Sequence, residues 1–291
     1  NDSTAMDVVS DFSPALRTSS SSSCRTCIAK FFHTSPAAFC APSGTKSKAM
    51  RNRTRVSPGL AGKHTCNCST CIEVPSPPPT RGLSAIVLAA EGKAFCAGAD
   101  LGSGKSFQFD YAEPRLPMPE LFRAARATNV PIIGRINGTV MAGGMGLLAI
   151  CDLAIAADHA QFGLPEVKVG VYPMQVLAVL QHLIPRRRLL QLCMTGEPVS
   201  AAEALEIGLL TSVVPSVELD SAIESLLSKI LDKSPTAIRR GKYATYAIET
   251  MSFEESLNFM EGQIGLLAAT QDAAEGQLAF REKRKPVWRG K

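Results

Sequence analysis

Residues 132–146 have the sequence IIGRINGTVMAGGMG, and this stretch decides the fold class. Its first five residues, Ile132–Ile136, form a short apolar run that is typical of a buried parallel strand. Asn137 and Gly138 then predict a turn, and the glycines of residues 142–146 open an apolar helix. A strand that leads through glycines into a helix is a local pattern of α/β domains.

The same pattern recurs on both sides of this stretch. The apolar run SAIVLAA (residues 84–90) precedes a glycine-rich loop, and LAIAA (residues 153–157) and residues 210–214 predict two further strands. A helix is predicted over residues 120–128. Because parallel strands need long crossover connections, this alternation predicts an α/β core over about 83–215. Four helical stretches follow and predict a helical tail over about 216–291.

Capping boxes mark the predicted helix starts of the C-terminal half. In this motif a Ser, Thr or Asp side chain and a Glu three residues later satisfy each other's free backbone amides. The pairs are Ser200 with Glu203, Ser252 with Glu255, and Asp272 with Glu275. Gly208 is a suitable stop for the first of these helices, and the apolar residues 174–183 predict a buried helix.

Residues 1–80 differ in composition from the remainder. They carry nine Lys or Arg and four Asp or Glu, whereas residues 81–291 carry 22 of each. The basic excess is therefore confined to the first segment, and nothing indicates nucleic-acid binding by the main domain. No acidic residue occurs between Ser13 and Ile72, and no helical or strand periodicity persists, so we expect this segment to be unstructured. A transit peptide and an artefact of a faulty gene model are the two explanations, and we favour the second.

The nine cysteines follow the same division. Cys96, Cys151 and Cys193 lie in apolar surroundings, where a buried free thiol is expected. The other six are Cys24, Cys27, Cys40, Cys66, Cys68 and Cys71. The close spacing of Cys66, Cys68 and Cys71, with Cys24 and Cys27 as a second half, permits a zinc site. The segment between the two groups is rich in Pro and Ser, so unstructured free thiols are the favoured interpretation. No metal site and no membrane-spanning segment are predicted.

Two glycine-rich turns carry the chemistry, and each follows a predicted strand. They have the sequences KAFCAGAD (residues 93–100) and NGTVMAGGMG (residues 137–146). Glycines permit close approach of the backbone to a ligand, and the second turn leads into a helix whose first amides are free. Two such amides aimed at one point form an oxyanion hole, in which one donor contributes about 3 kcal/mol. The alternative is two ordinary tight turns; neither is a nucleotide-binding motif.

The order and spacing of these turns resemble the enoyl-CoA hydratase/isomerase (crotonase) family. Further matching motifs are CDLAIA (residues 151–156), QFGLPE (161–166), TGE (195–197), AAEALEIGL (201–209) and FREKRKP (280–286). The resemblance covers about 84–290. It implies an α/β crotonase-like fold, a ββα superhelix with a C-terminal helical trimerisation region. The roughly 60 residues of strands and helix that normally precede the strand at residue 83 are missing, so an open sheet edge is expected.

The resemblance also assigns the candidate catalytic residues. The two oxyanion-hole amides fall on Ala99 and Gly143, flanked by the small residues Ala97, Gly98 and Gly144, and a catalytic carboxylate falls on Glu166. Such a pair of amides would bind the thioester carbonyl oxygen and stabilise an enolate. Asp100 and Asp152 are expected to be structural, holding loops through bonds from side chain to backbone.

Gly146 is the informative departure from the family pattern. Hydratases of the family use two glutamates about twenty residues apart; the second falls on Glu166, but the first falls on Gly146. Hydration needs water to be positioned and deprotonated and the α-carbon to be protonated, and losing one carboxylate costs about 10²–10⁴-fold in rate. Moving a double bond needs one carboxylate only. Hydratase, Δ3/Δ2-enoyl-CoA isomerase and a non-catalytic acyl-CoA-binding paralogue therefore all stay open.

The remaining candidates concern the substrate, partners and location. Tyr172, Pro173 and Met174 are expected to shape the acyl pocket. Lys93 and Lys105 are placed to meet phosphates, and Phe280 and Lys283 to contact coenzyme A from a neighbouring subunit, although all four are equally compatible with a solvated surface. The resemblance implies no cofactor beyond the coenzyme A of the substrate, a homotrimer or hexamer, and a mitochondrial or cytoplasmic location. Residues 186–188, all Arg, are expected at an exposed helix start.

Overall fold

The computed structural model describes the backbone of residues 25–33, together with residues 83–99, 112 and 115–291. Strands and helices alternate along this part of the chain. The strands are β1 (Arg25–His33), β2 (Leu83–Glu91), β3 (Ala94–Cys96), β4 (Ile132–Ile136), β5 (Thr139–Met141), β6 (Leu153–Ala157), β7 (Gln161–Gly163), β8 (Val199–Ser200) and β9 (Ser212–Val214). The helices are α1 (Pro117–Ala127), α2 (Gly143–Ala149), α3 (Met174–Leu180), α4 (Arg186–Thr195), α5 (Ala201–Glu206), α6 (Leu219–Leu231), α7 (Pro235–Ile248), α8 (Phe253–Ala268) and α9 (Gln271–Arg281).

The strands form two sheets, and from β2 to β7 consecutive strands alternate between them. One sheet has the order β1-β2-β4-β6-β9 and the other the order β3-β5-β7-β8. β2, β4, β6 and β9 are parallel, and so are β3, β5 and β7. Over β2–β7, each pair of consecutive strands therefore adds one strand to each sheet before the chain returns to the first sheet. This is the ββα superhelix that the family resemblance implied, and the predicted α/β class is confirmed.

The long apolar runs were predicted accurately and the short strands were not. β4 and β6 have the predicted bounds, and β2 extends the predicted run by one residue at each end. The three-residue strands β3 and β5 lie inside the two glycine-rich turns, and β7 lies in the motif at residues 161–166, for which no strand was predicted. Three residues are too few to show an alternation of apolar and polar side chains.

β1 is a strand that the sequence interpretation did not include. Its backbone pairs antiparallel with β2, with Ile28 opposite Ala89 and Phe31 opposite Ile86. The edge of the first sheet at β2, which we expected to be open, is therefore covered by β1. An uncovered edge would leave a row of unpaired backbone amides and carbonyls. The rest of residues 1–80, including the cysteines of residues 66–71, lies outside the described residues.

Apolar layers pack on both faces of the first sheet. On one face, β2 side chains such as Val87 pack with Ile133 and Ile155 against Ile223 and Leu227 of α6. On the other face, neighbouring β2 positions such as Leu88 join the larger core that holds the second sheet and α2. The strand alternates between two buried layers, which explains why its sequence is apolar throughout rather than alternating.

A buried ion pair attaches α7 to this core. The Lys242 ammonium donates to Asp152 Oδ2 at 2.6 Å and to the carbonyl oxygen of Val130 at 2.9 Å. Asp152 also accepts from the Ile132 amide at 2.6 Å and from the Tyr246 hydroxyl at 2.9 Å. Burial lowers the pKa of Lys242, and the adjacent carboxylate partly restores it. The structural role predicted for Asp152 follows from these contacts, because each partner satisfies an otherwise buried polar group.

Two of the three predicted capping boxes are present and the third is not. Ser200 with Glu203 and Ser252 with Glu255 form the complete reciprocal motif. Helix α9 instead begins after Thr270, whose hydroxyl accepts from the Ala273 amide. The prediction that Asp272 caps this helix was wrong.

Asp272 is engaged by the C-terminal tail instead. Its buried carboxylate accepts from the backbone amides of Arg289 at 2.8 Å and Gly290 at 3.0 Å, and from the Ser234 hydroxyl at 2.8 Å. Burial alone would raise the pKa of Asp272, but these hydrogen bonds lower it below its usual value. The Asp272 carboxylate therefore accepts hydrogen bonds from the C-terminal tail rather than from the first amides of α9.

Candidate active site

The two glycine-rich turns lie against each other. A Cβ atom at Gly98, where φ is +93°, would lie 2.8 Å from the Cβ atom of Ala142. A Cβ atom at Gly144 would lie 2.7 Å from the carbonyl oxygen and 2.8 Å from the Cβ atom of Cys96. These distances are too short for side chains, so glycine is required for the close approach. The structure thus brings together the loop after β3 and the start of α2, as their common assignment to one oxyanion hole requires.

The backbone at the start of α2 has an uncommon conformation. Ala142 has φ 53° and ψ −123°, a combination that glycine adopts far more readily than alanine. Such a residue costs about 1–3 kcal/mol and persists where the surroundings hold it; here the Ala142 amide donates to Gly163 at 3.0 Å. The peptide plane between Ala142 and Gly143 is set by this conformation. Since Gly143 is the first helical residue, its amide has no acceptor within the helix and can bind an external oxygen.

Glu166 lies in the 3-10 turn Pro165–Val169, which follows β7. The side chain is half-buried, and its Oε2 atom is buried without a hydrogen-bond partner among the described residues. Burial raises the pKa of Glu166, and a backbone hydrogen bond offsets part of the rise. A carboxylate that has one buried oxygen without a hydrogen-bond partner and a raised pKa has the properties of an acid–base group.

Tyr172 and Cys193 lie close to Glu166. Burial raises the pKa of the Tyr172 hydroxyl and of the Cys193 thiol, and each group influences the pKa of the other. The negative charge of Glu166 raises the pKa of Cys193 further. Tyr172 was among the predicted pocket residues. Cys193 was predicted only as a buried thiol, because α4 is distant in sequence from the 3-10 turn and no local pattern connects them.

Helix α1 covers the glycine face of α2. The Cε atom of Met118 would lie 3.0 Å from a Cβ atom at Gly143, and the Phe122 ring lies still closer to Gly146. Met118 and Phe122 are four residues apart and therefore share one face of α1. Gly143 and Gly146 are three residues apart and share one face of α2 in the same way. The space around the candidate oxyanion hole is consequently bounded by apolar side chains.

Residues 80–291 match the family described as Enoyl-CoA hydratase/isomerase. The chain belongs to this family. Mouse "Enoyl-CoA hydratase domain-containing protein 3, mitochondrial" is 34% identical over 212 residues, which cover 71% of this chain and 69% of the mouse protein. A "Probable enoyl-CoA hydratase" of Bacillus subtilis is 32% identical over 213 residues, which cover 72% of this chain and 83% of that protein.

Solved structures of the family have the same fold. The crystal structure of human enoyl Coenzyme A hydratase domain-containing protein 3 aligns with a TM-score of 0.66 at 33% identity, covering 69% of this chain and 81% of that one. An enoyl-CoA hydratase from Bacillus anthracis aligns with the same TM-score at 31% identity, covering 72% and 83%. The crotonase-like fold and the enoyl-CoA hydratase/isomerase enzyme class predicted from the sequence are confirmed.

The remaining predicted site residues lie at several separate places in the structure of this family member. Pro173 is buried at the start of α3, whereas Met174 is 72% exposed. Lys93 is exposed beside the first turn. Phe280 and Lys283 are exposed at the end of α9, which packs on α7 and α8. Their proposed contact with coenzyme A in another subunit stays a prediction. Asp100 and Lys105 lie outside the described residues.

Side chains of the types that bind metal ions do not cluster in the described part of this family member. No group of three or more His, Cys, Asp or Glu is suited to a metal ion there. Cys96, Cys151 and Cys193 are buried free thiols, as predicted. The three arginines of residues 186–188 are exposed at the start of α4, also as predicted. None of the described helices is both long and apolar enough to cross a membrane.

Proposed function

We propose that this protein transfers protons at the α-carbon of an enoyl-CoA thioester, with Glu166 as its single acid–base carboxylate. The thioester carbonyl oxygen would accept hydrogen bonds from the amides of Ala99 and Gly143. The observation that carries this proposal is the buried Glu166 Oε2 atom without a partner among the described residues. A buried carboxylate oxygen without a hydrogen-bond partner costs folding free energy, and the family membership suggests that this oxygen is kept free to accept the α-proton of the substrate.

The favoured reaction is migration of the double bond from the 3,4 to the 2,3 position. Glu166 removes a proton from C2 of a 3-enoyl-CoA, and the electron pair moves to form a dienolate whose oxygen is held by the two amides. The same carboxyl group, now protonated, then delivers the proton to C4. One carboxylate completes the cycle and no atom is gained or lost. The proposal includes no resident cofactor, since coenzyme A is part of the substrate.

Parallel assays of two substrates test this proposal. We expect purified protein to convert a 3-enoyl-CoA to the conjugated 2-enoyl-CoA at least tenfold faster than it hydrates a 2-enoyl-CoA, because hydration lacks its second carboxylate. Chromatography of the thioester products distinguishes the two reactions. Faster hydration would identify the protein as a hydratase and contradict the favoured reaction. Measurable binding of both thioesters without turnover would contradict catalysis. It would support the non-catalytic alternative, which is also favoured by the absence of a carboxylate at Gly146.

We further propose that copies of this chain associate through the C-terminal helices. Helix α8 has no buried residue, yet it carries Phe253, Leu257, Ile264 and Leu266, which are all exposed. A helix that exposes this much apolar surface normally packs against a partner, and the expected partner is a second and third copy. Light scattering at micromolar concentration should give the mass of three chains or six; the mass of one chain would contradict the proposal.

The proposed location is the mitochondrion or the cytoplasm. The mouse relative carries "mitochondrial" in its name, whereas other relatives are bacterial proteins. Fractionation of cells that express the tagged protein would distinguish the two locations.

A further inference from the structure

Gly146 is covered by an aromatic ring at the position from which a carboxylate side chain would begin. A Cβ atom at Gly146 would lie 2.6 Å from Cζ and 3.1 Å from Cε1 of Phe122, and 3.5 Å from Cγ2 of Val176. The first distance is far below ordinary van der Waals contact. Phe122 is only 8% exposed and belongs to the main core. The space that a second glutamate would need is therefore occupied.

The ring is held in place by its own helix. Phe122 lies in the middle of α1, and Met118 one turn earlier covers Gly143 in the same way. The Phe122 ring also shares the core with Leu148 and with Val176 of α3. A core side chain packed on this many sides cannot rotate away without leaving a cavity. The occupation of the space at Gly146 is thus built into the packing of α1 on α2.

The apolar lining has a chemical consequence. Hydration adds a hydroxyl group to C3 and a proton to C2, and it needs a bound water molecule with two or more polar partners. Phe122 and Val176 offer none at Gly146. Double-bond migration needs no water, because the proton that leaves C2 returns at C4. An apolar wall at this position disfavours the first reaction and leaves the second unaffected.

We infer that Phe122 is a specificity-determining residue, which excludes water and a second carboxylate from the site and so restricts it to proton transfer without hydration. The inference rests on the proposed function of Glu166. It adds a residue outside the glycine-rich turns, and this residue decides between isomerisation and hydration of an enoyl-CoA. It also implies that substitution of Gly146 alone cannot convert the site to a hydratase.

A pair of substitutions tests the inference. Leucine at position 122 lacks the ring atoms that meet Gly146 but keeps an apolar side chain in the core. We expect Gly146→Glu alone to lower Tm by about 5 °C or more through overpacking, with no gain in hydration. In the Phe122→Leu background the same substitution should lower Tm much less and raise the rate of 2-enoyl-CoA hydration at least tenfold above that of the unsubstituted protein.

Control variants separate the possible outcomes. Gly241→Glu introduces the same side chain in α7 where a Cβ atom meets nothing within 4 Å, and it should change neither Tm nor hydration. If Gly146→Glu does not fold, Gly146→Ala brings the same Cβ atom against the ring and replaces it in the Tm comparison. Equal losses of Tm in both backgrounds would overturn the proposed packing role of Phe122. Hydration by Gly146→Glu alone, or none in a folded double variant that binds acyl-CoA, would overturn its role in specificity. Failure of the unsubstituted protein to isomerise would count against the proposed function, not against this coupling.

Discussion

Glu166→Gln is expected to lower kcat/KM for the enoyl-CoA substrate about 10³-fold while the protein stays folded. The amide has nearly the shape of the carboxyl group but cannot accept the α-proton, and acid–base groups of this kind contribute about 10²–10⁴-fold. Steady-state kinetics on the better of the two substrates measures the loss. The matched control is Glu206→Gln, which changes an exposed glutamate at the end of α5 and should leave kcat/KM unchanged. Full activity of Glu166→Gln would show that another group is the base.

The same substitution is expected to maintain or raise the free energy of unfolding at neutral pH. Because burial raises the pKa of Glu166 above its ordinary value of 4.5, the folded state binds this proton more tightly than the unfolded state. The contribution of this group to stability is therefore largest below pH 4.5, and it falls as pH rises through the folded pKa. Glutamine removes this dependence. Loss of activity together with unchanged or higher Tm would separate a chemical role from a structural one.

The acid side of the pH profile follows from the same shift. The base acts only when ionised, so kcat/KM should fall as pH decreases through the raised pKa of Glu166, that is, at a pH above 4.5. The residual activity of Glu166→Gln should lack this limb. An acid limb that persists unchanged in the variant would belong to a different group.

Gly98→Ala is expected to be strongly damaging, because it affects both the backbone conformation and the contact between the two glycine-rich turns. The residue has φ +93°, and its new Cβ atom would lie 2.8 Å from Cβ of Ala142, so the two turns must separate. A shift of even 1 Å at a catalytic donor costs about 10²-fold in rate. We expect kcat/KM to fall by about that factor and the free energy of unfolding by about 2–3 kcal/mol.

Gly92→Ala is the matched control for this prediction. Its φ of +88° is nearly the same, but a Cβ atom there meets nothing within 4 Å. Alanine at Gly92 should therefore cost only the backbone strain, about 1 kcal/mol, with little change in kcat/KM. Urea unfolding and steady-state kinetics of the two variants separate the effect of φ from the effect of contact between the turns. Equal effects of both substitutions would refute the assignment of that contact to the oxyanion hole.

The predictable parts of the fold depend on neighbours in sequence. Ile132–Ile136 and Leu153–Ala157 are buried on both faces, so their composition alone indicates strands. Ser200 and Ser252 each need only a glutamate three residues away to start a helix. Asp272 has the same local pattern, yet the backbone amides of Arg289 and Gly290 engage it. The local pattern cannot reveal that backbone amides at least 17 residues further along the chain donate hydrogen bonds to this carboxylate in place of the helix terminus.

The candidate site divides in the same way. The types and order of its residues, Ala99 and Gly143 in two glycine-rich turns and then Glu166, are predictable from the sequence, because the family resemblance lies in short contiguous motifs. The surroundings of these residues are not predictable in this way. Cys193 near Glu166 and β1 beside β2 come from distant parts of the chain, and no local pattern connects them to their neighbours.

The sequence by itself determined the family, the α/β class and the absence of a carboxylate at Gly146. Only the tertiary structure decided what occupies that position instead, because the Phe122 ring reaches Gly146 from a helix that begins 29 residues earlier in the chain. A missing side chain is visible in the sequence, whereas the space it leaves is defined by packing between elements. By the inference proposed above, a ring in that space favours moving a double bond over hydrating it.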